Sequence, residues 1–148
     1  MKKIGVIIGI STLFLLSGCM NPTSVRIVED MYRAAIMEED TKVESYFSEE
    51  FMLENEPFSE VKDKIHTDAI NMKGIEFMNT TEIREKDLNP EIAEGLNDTF
   101  DEWSYIVTQI DEDQIMTWVV QRGETQYYIV EGKAYPIDAY NEEVLENS

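Results

Sequence analysis

Two periodicities divide the chain. From Val25 to about Asn71 apolar residues recur at three- and four-residue spacing, and from Ile75 onward they recur at every second residue. Val25, Val28, Met31, Tyr32, Ala35 and Ile36 predict a first helix, with Ser24 placed to cap it. Glu38-Glu39-Asp40 interrupts the pattern. Asp40 or Thr41 is placed to cap a second, short helix that presents Val43, Tyr46 and Phe47. Phe51, Leu53 and Phe58 follow without a clear period. Ser59 is the expected cap of a third helix with Val61, Ile65, Ala69 and Ile70 on one face and Gly74 at its end.

The strand pattern begins with Ile75, Phe77 and Ile83, which share a parity in a strand expected over Ile75–Arg84. "LNPEIAEGLNDTF" breaks it, with Pro90 after Asn89 opening one helical turn. Strands are then expected over Trp103–Ile110, Ile115–Arg122 and Thr125–Glu131. A final edge strand is expected over Lys133–Ile137, where Pro136 is tolerated because an edge can lack one donor. Gly123-Glu124 reads as a two-residue type II′ turn with Gly123 at positive φ. That turn pairs Arg122 with Thr125, Val120 with Tyr127 and Trp118 with Ile129 on one face of the sheet. Val119 with Tyr128 and Thr117 with Val130 fall on the other. Both faces carry apolar pairs, so both need a cover. Three helices can cover one; the other must curl on itself, line a pocket or meet a partner. Trp118 and Tyr128, one on each face, are therefore the candidate interface residues, one to be core and the other exposed.

The N-terminus adds location. Lys2 and Lys3 precede an apolar run from Ile4 to Leu16, 13 residues long. A helix that crosses a hydrocarbon core needs about 20. The short run with a basic flank fits a secretory signal peptide. "Leu16-Ser17-Gly18-Cys19" then resembles the lipobox of bacterial lipoproteins. That resemblance implies cleavage between Gly18 and Cys19, and a diacylglycerol (palmitate-type chains) on Cys19. It also accounts for a lone exported cysteine, which has no internal disulfide partner. Each buried methylene of such an anchor contributes about 0.8 kcal/mol. The expected organisation is a signal peptide over 1–18, a lipidated cysteine and short tether over 19–24, one domain over 25–138 and an acidic tail over 139–148. The expected location is the extracytoplasmic face of a cell membrane.

The fold expectation is α+β: N-terminal helices packed on a bent, mostly antiparallel sheet. "VEDMYRAAIMEEDTKVESYFSEEF" resembles the opening of the nuclear-transport-factor-2-like, or cystatin-like, superfamily. "YYIVEGKAYPID" is similar to the closing strands of small bacterial lipoprotein domains there. The resemblance implies a cone with a cavity. It implies no single function, because that fold hosts enzymes, ligand binders and assembly proteins.

Charge narrows the partners. Without Lys2 and Lys3 the 12 basic residues fall to 10 against 31 acidic ones, a net charge of −21 for the part from Cys19 onward. Nucleic acid wants a basic face, and anionic lipid head groups want Lys and Arg clusters, so both are disfavoured. Candidate chemistry is sparse. His66, the single histidine, lies beside the edge of the third helix's apolar face and reads as a boundary residue. Tyr32, Tyr46 and Asp40 are placed to approach a cavity, but tyrosines on helix faces usually pack. Asp111-Glu112-Asp113 lacks the Gly and the later Glu of a calcium loop and reads as a solvated hairpin tip. One Cys and one His make no zinc set. No catalytic residue, metal or cofactor is expected. The expected role is a membrane-anchored, non-enzymatic interaction module whose partner is an envelope protein or a second copy. The alternatives are a small cavity enzyme with a carboxylate base, a carrier of a small apolar ligand, and an exclusion or immunity lipoprotein of a mobile element.

Overall fold

The computed structural model describes residues 22–73 and 78–146. Cys19, the Leu16–Cys19 motif, Gly74, Ile75 and Phe77 lie outside the described residues. The chain is α+β, with four helices before a four-stranded antiparallel sheet in the order β1-β2-β3-β4.

The first helix, α1 (Thr23–Ile36), buries Val25, Val28, Met31, Tyr32 and Ala35, the face that the spacing predicts. Its cap differs from expectation. The helix starts after Pro22 with no side-chain cap, and Ser24 is inside it and buried. Next, α2 (Asp40–Ser45) buries Val43. The segment without a clear period is also helical, α3 (Glu49–Glu54). Ser48 Oγ accepts the Phe51 N–H at 3.2 Å, and Glu49 and Glu50 sit in the first turn, where the helix dipole favours acids. The face of α4 (Phe58–Asn71) runs through Val61, Ile65, Asp68, Ala69 and Met72, not Ile70, which is 58% exposed. Pro57, not Ser59, precedes α4, and Lys73 closes it in the left-handed region at φ 59.

The strands are β1 (Asn79–Ile83), β2 (Trp103–Gln109), β3 (Gln114–Arg122) and β4 (Tyr127–Pro136). Thus the two expected final strands are one, with a bulge opposite Val119/Val120. The β3–β4 connection is four residues long, not two. Arg122 pairs with Tyr127 and Val120 with Ile129; beyond the bulge Val119 pairs with Glu131 and Trp118 with Gly132. Gly123 is not at positive φ; its N–H donates to the Gln126 carbonyl at 2.7 Å across the loop. The expected pairings were therefore wrong, but the faces were right. Up to Ile129 the slip is two residues, which keeps every side chain on its side; beyond it the offset is three, and the bulge's extra residue restores the faces.

Both faces are covered. On the first, Trp118, Val120, Ile106 and Ile129 pack with Val28, Met31 and Tyr32 of α1 and Ile65 and Ala69 of α4. Phe47 stacks on Phe51 at 5.0 Å between ring centroids and meets Trp118 edge-on at 5.9 Å. On the second face, Tyr105, Val107, Ile115, Val119 and Tyr135 pack with Leu88, Ala93, Leu96, Tyr140 and Val144. This cover comes from α5 (Pro90–Thr99), which is ten residues and not one turn, and from the segment read as an acidic tail. Asn89 holds the two together. Its Oδ1 accepts the Glu91 N–H at 3.0 Å, its Nδ2 donates to the Glu143 carbonyl at 3.1 Å, and its backbone N–H donates to the Val144 carbonyl at 2.7 Å. The folded unit therefore runs at least to Leu145, which bridges to Leu88.

Candidate functional site

With both faces covered, the open borders of the sheet are its edge strands β1 and β4, and the outer edge of β4 adjoins two grooves that share residues. Near its start that edge is used. The Ile129 N–H donates to the Tyr46 carbonyl at 2.8 Å, and the Ile129 carbonyl accepts from Ser48 N–H at 3.1 Å. Both polar groups of Ile129 therefore point away from β3. In an antiparallel ladder such outward residues alternate with inward ones. Counting along β3 from Val120, which faces Ile129, puts Gly132 and Ala134, opposite Trp118 and Met116, in the outward series. Pro136 falls in the same series, where its missing N–H costs no ladder bond. Among the described residues, Gly132 and Ala134 make no backbone hydrogen bond on this side.

Two grooves adjoin this edge. One, of about 420 Å³, lies between α4 and β4, with Trp118, Met116, Ile65 and Val61 contributing apolar walls and Gly132 and Ala134 along one side. The other, of about 470 Å³, lies between α3 and the bulge. Phe51, Asn55 and Gly132 line both, so the two are continuous around Gly132. Gly132 is required there by contact. A Cβ on it would lie 2.4 Å from Cζ3 of Trp118. Trp118 is in turn fixed from beneath, its Nε1–H donating to Tyr32 Oη at 3.1 Å.

The rim is acidic. Glu50, Glu54, Glu60, Asp68 and Glu131 line the two grooves against the single ammonium of Lys64. Lys64 is already engaged, 2.7 Å from Asp68 Oδ2. The Asp68 side chain is only 8% exposed. Burial raises the Glu131 carboxyl, an effect that Lys133 partly offsets.

Residues singled out in the sequence lie mostly elsewhere. Trp118 is 1% exposed and is core, which removes it as an interface residue. Tyr128 is half-buried beside the β3–β4 loop, its ring near Gly123. Tyr32 is fully buried, and burial raises its hydroxyl pKa, with the Trp118 hydrogen bond opposing and Asp68 adding to the rise. Tyr46 is half-buried and raised mainly by burial, then by Asp30. Asp40 is exposed, 3.5 Å from Lys62. None of these three lines the grooves, and neither does half-buried His66. The Asp111–Asp113 tip is a turn in which Asp111 Oδ1 accepts the N–H groups of Asp113 and Gln114 at 2.8 and 2.9 Å. Among the described residues no cluster of His, Cys, Asp and Glu is placed to hold a metal, and no helix is long and apolar enough to cross a membrane. Phe51, Asn55, Lys64, Asp68, Glu131 and Gly132 were not anticipated as a group. Gly132, in a strand-like stretch, was the available signal, because glycine inside a strand marks a bulge or a close approach. No family model, curated protein or solved structure matches the chain.

Proposed function

We propose that the protein is a lipid-anchored extracytoplasmic lipoprotein whose folded domain is a non-enzymatic binding module. The anchor rests on the ordered N-terminal signals, Lys2-Lys3, the apolar run and Leu16-Ser17-Gly18-Cys19. The observation that carries the binding reading is the continuous groove along β4, apolar on its walls, acidic at its rim and bordered by unpaired backbone. Helices followed by an antiparallel sheet support a relationship to the nuclear-transport-factor-2-like layout. The space between α1 and the sheet is filled by Met31, Tyr32 and Trp118, so the binding surface sits at the edge.

Two experiments on intact cells test the reading. Cys19→Ala should abolish acyl labelling and release the protein from the membrane fraction or leave an uncleaved precursor. A lipidated, mature-sized Cys19→Ala product would contradict the anchor. A photocrosslinking amino acid at Glu54, on the groove rim, should capture a defined protein that the same group at Glu94, on α5, does not. Equal capture from both positions, or capture from neither, would contradict the module.

A second reading, a small enzyme with a carboxylate base, is favoured by Asp68 alone, a buried carboxylate beside a groove with a neighbouring donor.

A further inference from the structure

We propose that the open stretch of β4 receives an extended, basic segment of a partner protein, which adds as a fifth strand. This inference rests on the binding-module reading and specifies the partner's chemistry. Gly132 and Ala134 offer two N–H donors and two carbonyl acceptors on the outer edge, free of other backbone bonds. An added strand lies about 4.8 Å away and satisfies such groups from its own backbone. The small side chains at Gly132 and Ala134 leave that approach clear, and the groove borders both of them. Around Gly132 and Ala134 the edge is interrupted on both sides. Ile129 is taken by Tyr46 and Ser48, the bulge disrupts the ladder at Val130 and Glu131, and Pro136 ends the series. These are the devices that protect edges against indiscriminate pairing, so a short unprotected gap between them stands out.

Charge selects the occupant. The grooves carry five carboxylates and one ammonium, and that ammonium is tied to Asp68. The edge's own cation, Lys133, is held on the opposite face, 4.6 Å from the centre of the Tyr135 ring. An extended segment that alternates basic and apolar residues would set its apolar side chains on the α4 side, beside half-buried Val61, and its cations on the opposite side, nearest Glu131. A second copy of this chain would bring the same acidic rim against itself, at a net charge of −19 for the whole sequence, and is disfavoured.

The test uses the full-length protein in detergent and three fluorescent synthetic octapeptides. One alternates Lys and Val, one alternates Glu and Val, and one is the Lys-Val peptide N-methylated at alternate residues. The Lys-Val peptide should bind in physiological salt, and the Glu-Val peptide should not. N-methylation removes the strand-forming donors and should weaken binding by roughly tenfold or more. Ala134→Pro removes an outward N–H without touching the ladder and should have a similar effect with the melting temperature little changed. Bound peptide should slow amide exchange at Gly132 and Ala134. Equal binding of the native and N-methylated Lys-Val peptides would overturn the proposal, and that arm holds even if Ala134→Pro fails to fold. Absence of Lys-Val binding would overturn it too. Protection of Gly132 and Ala134 that rises with protein concentration alone would make a second copy the occupant and overturn it as well. Peptides that stay inert while crosslinking in cells captures a partner would remove this edge and leave the module reading standing.

Discussion

The two faces of the sheet are buried by different means. The first is covered by α1 and α4, 14-residue helices that precede the sheet in the chain. Its aromatics Trp118, Phe47 and Phe51 are in edge-to-face and stacked contact, whereas the second face buries the tyrosines Tyr105, Tyr135 and Tyr140. The second is covered by α5, inserted between β1 and β2, and by residues 137–145 after β4. That cover is joined through few groups, chiefly Asn89 and the Leu88–Leu145 bridge. One face is thus a core under long helices, and the other is a thinner cover assembled from two separate stretches. Among the described residues, closing both leaves only the edge strands β1 and β4 with open sheet backbone, on β4 at Gly132 and Ala134. Covering a face and covering an edge are separate problems, and this chain solves the first completely and the second only in part.

Breaking the first face should have the largest effect. Trp118→Ala removes a side chain that is 1% exposed and also orphans the buried Tyr32 hydroxyl. A loss of about 3–5 kcal/mol is expected, and global unfolding followed by circular dichroism should show it as a collapse of the whole transition. Breaking the second face should cost less. Leu88→Ala, at a residue that is 1% exposed, is expected to cost about 2–3 kcal/mol. The comparison sharpens if near-UV dichroism shows Trp103, which packs on the second face, loosening before Trp118. Simultaneous loss of both signals would mean that the two faces fold as one unit. Smaller still is Asn89→Ala, which removes the α5 cap and the tie to Glu143. About 1 kcal/mol is expected, seen as a shift in the denaturant midpoint with the slope unchanged.

The difference between the faces also governs what could be read from the sequence. Under the first face, Val25, Val28, Met31, Tyr32 and Ala35 keep a helical period long enough to be seen, and the structure buries all of them. Strand parity was equally legible. Trp118, Val120 and Ile129 share a face in the sequence pattern and in the structure, even though the hairpin pairing was off by two residues before the bulge and by three beyond it. The turn misled because Gly123 sits against Gln126 and Tyr128 for reasons of space and not of positive φ. The second cover was hidden. In α5, Gly95 and the polar Asn97-Asp98-Thr99 dilute the period, so only Asn89-Pro90 announced a helix. In the C-terminal segment, Tyr140 and Val144 stand alone among acids, which reads as a solvated tail until their burial is seen. The groove was the least legible. It depends on a bulge at Val130 and Glu131, which only the neighbouring Gly132 signals, and on Phe51 and Gly132, which are far apart in sequence and meet only in the fold.

The account turns on the β4 edge, and native-state hydrogen exchange on the dilute, unliganded protein tests it most directly. The register places the N–H groups of Lys133 and Tyr135 toward β3 and those of Gly132 and Ala134 toward the open side. The expected result is an alternation along one strand, with slow exchange at Lys133 and Tyr135 and fast exchange at Gly132 and Ala134. Slow exchange at all four positions, independent of protein concentration, would mean that the edge is already covered, and it would contradict the account.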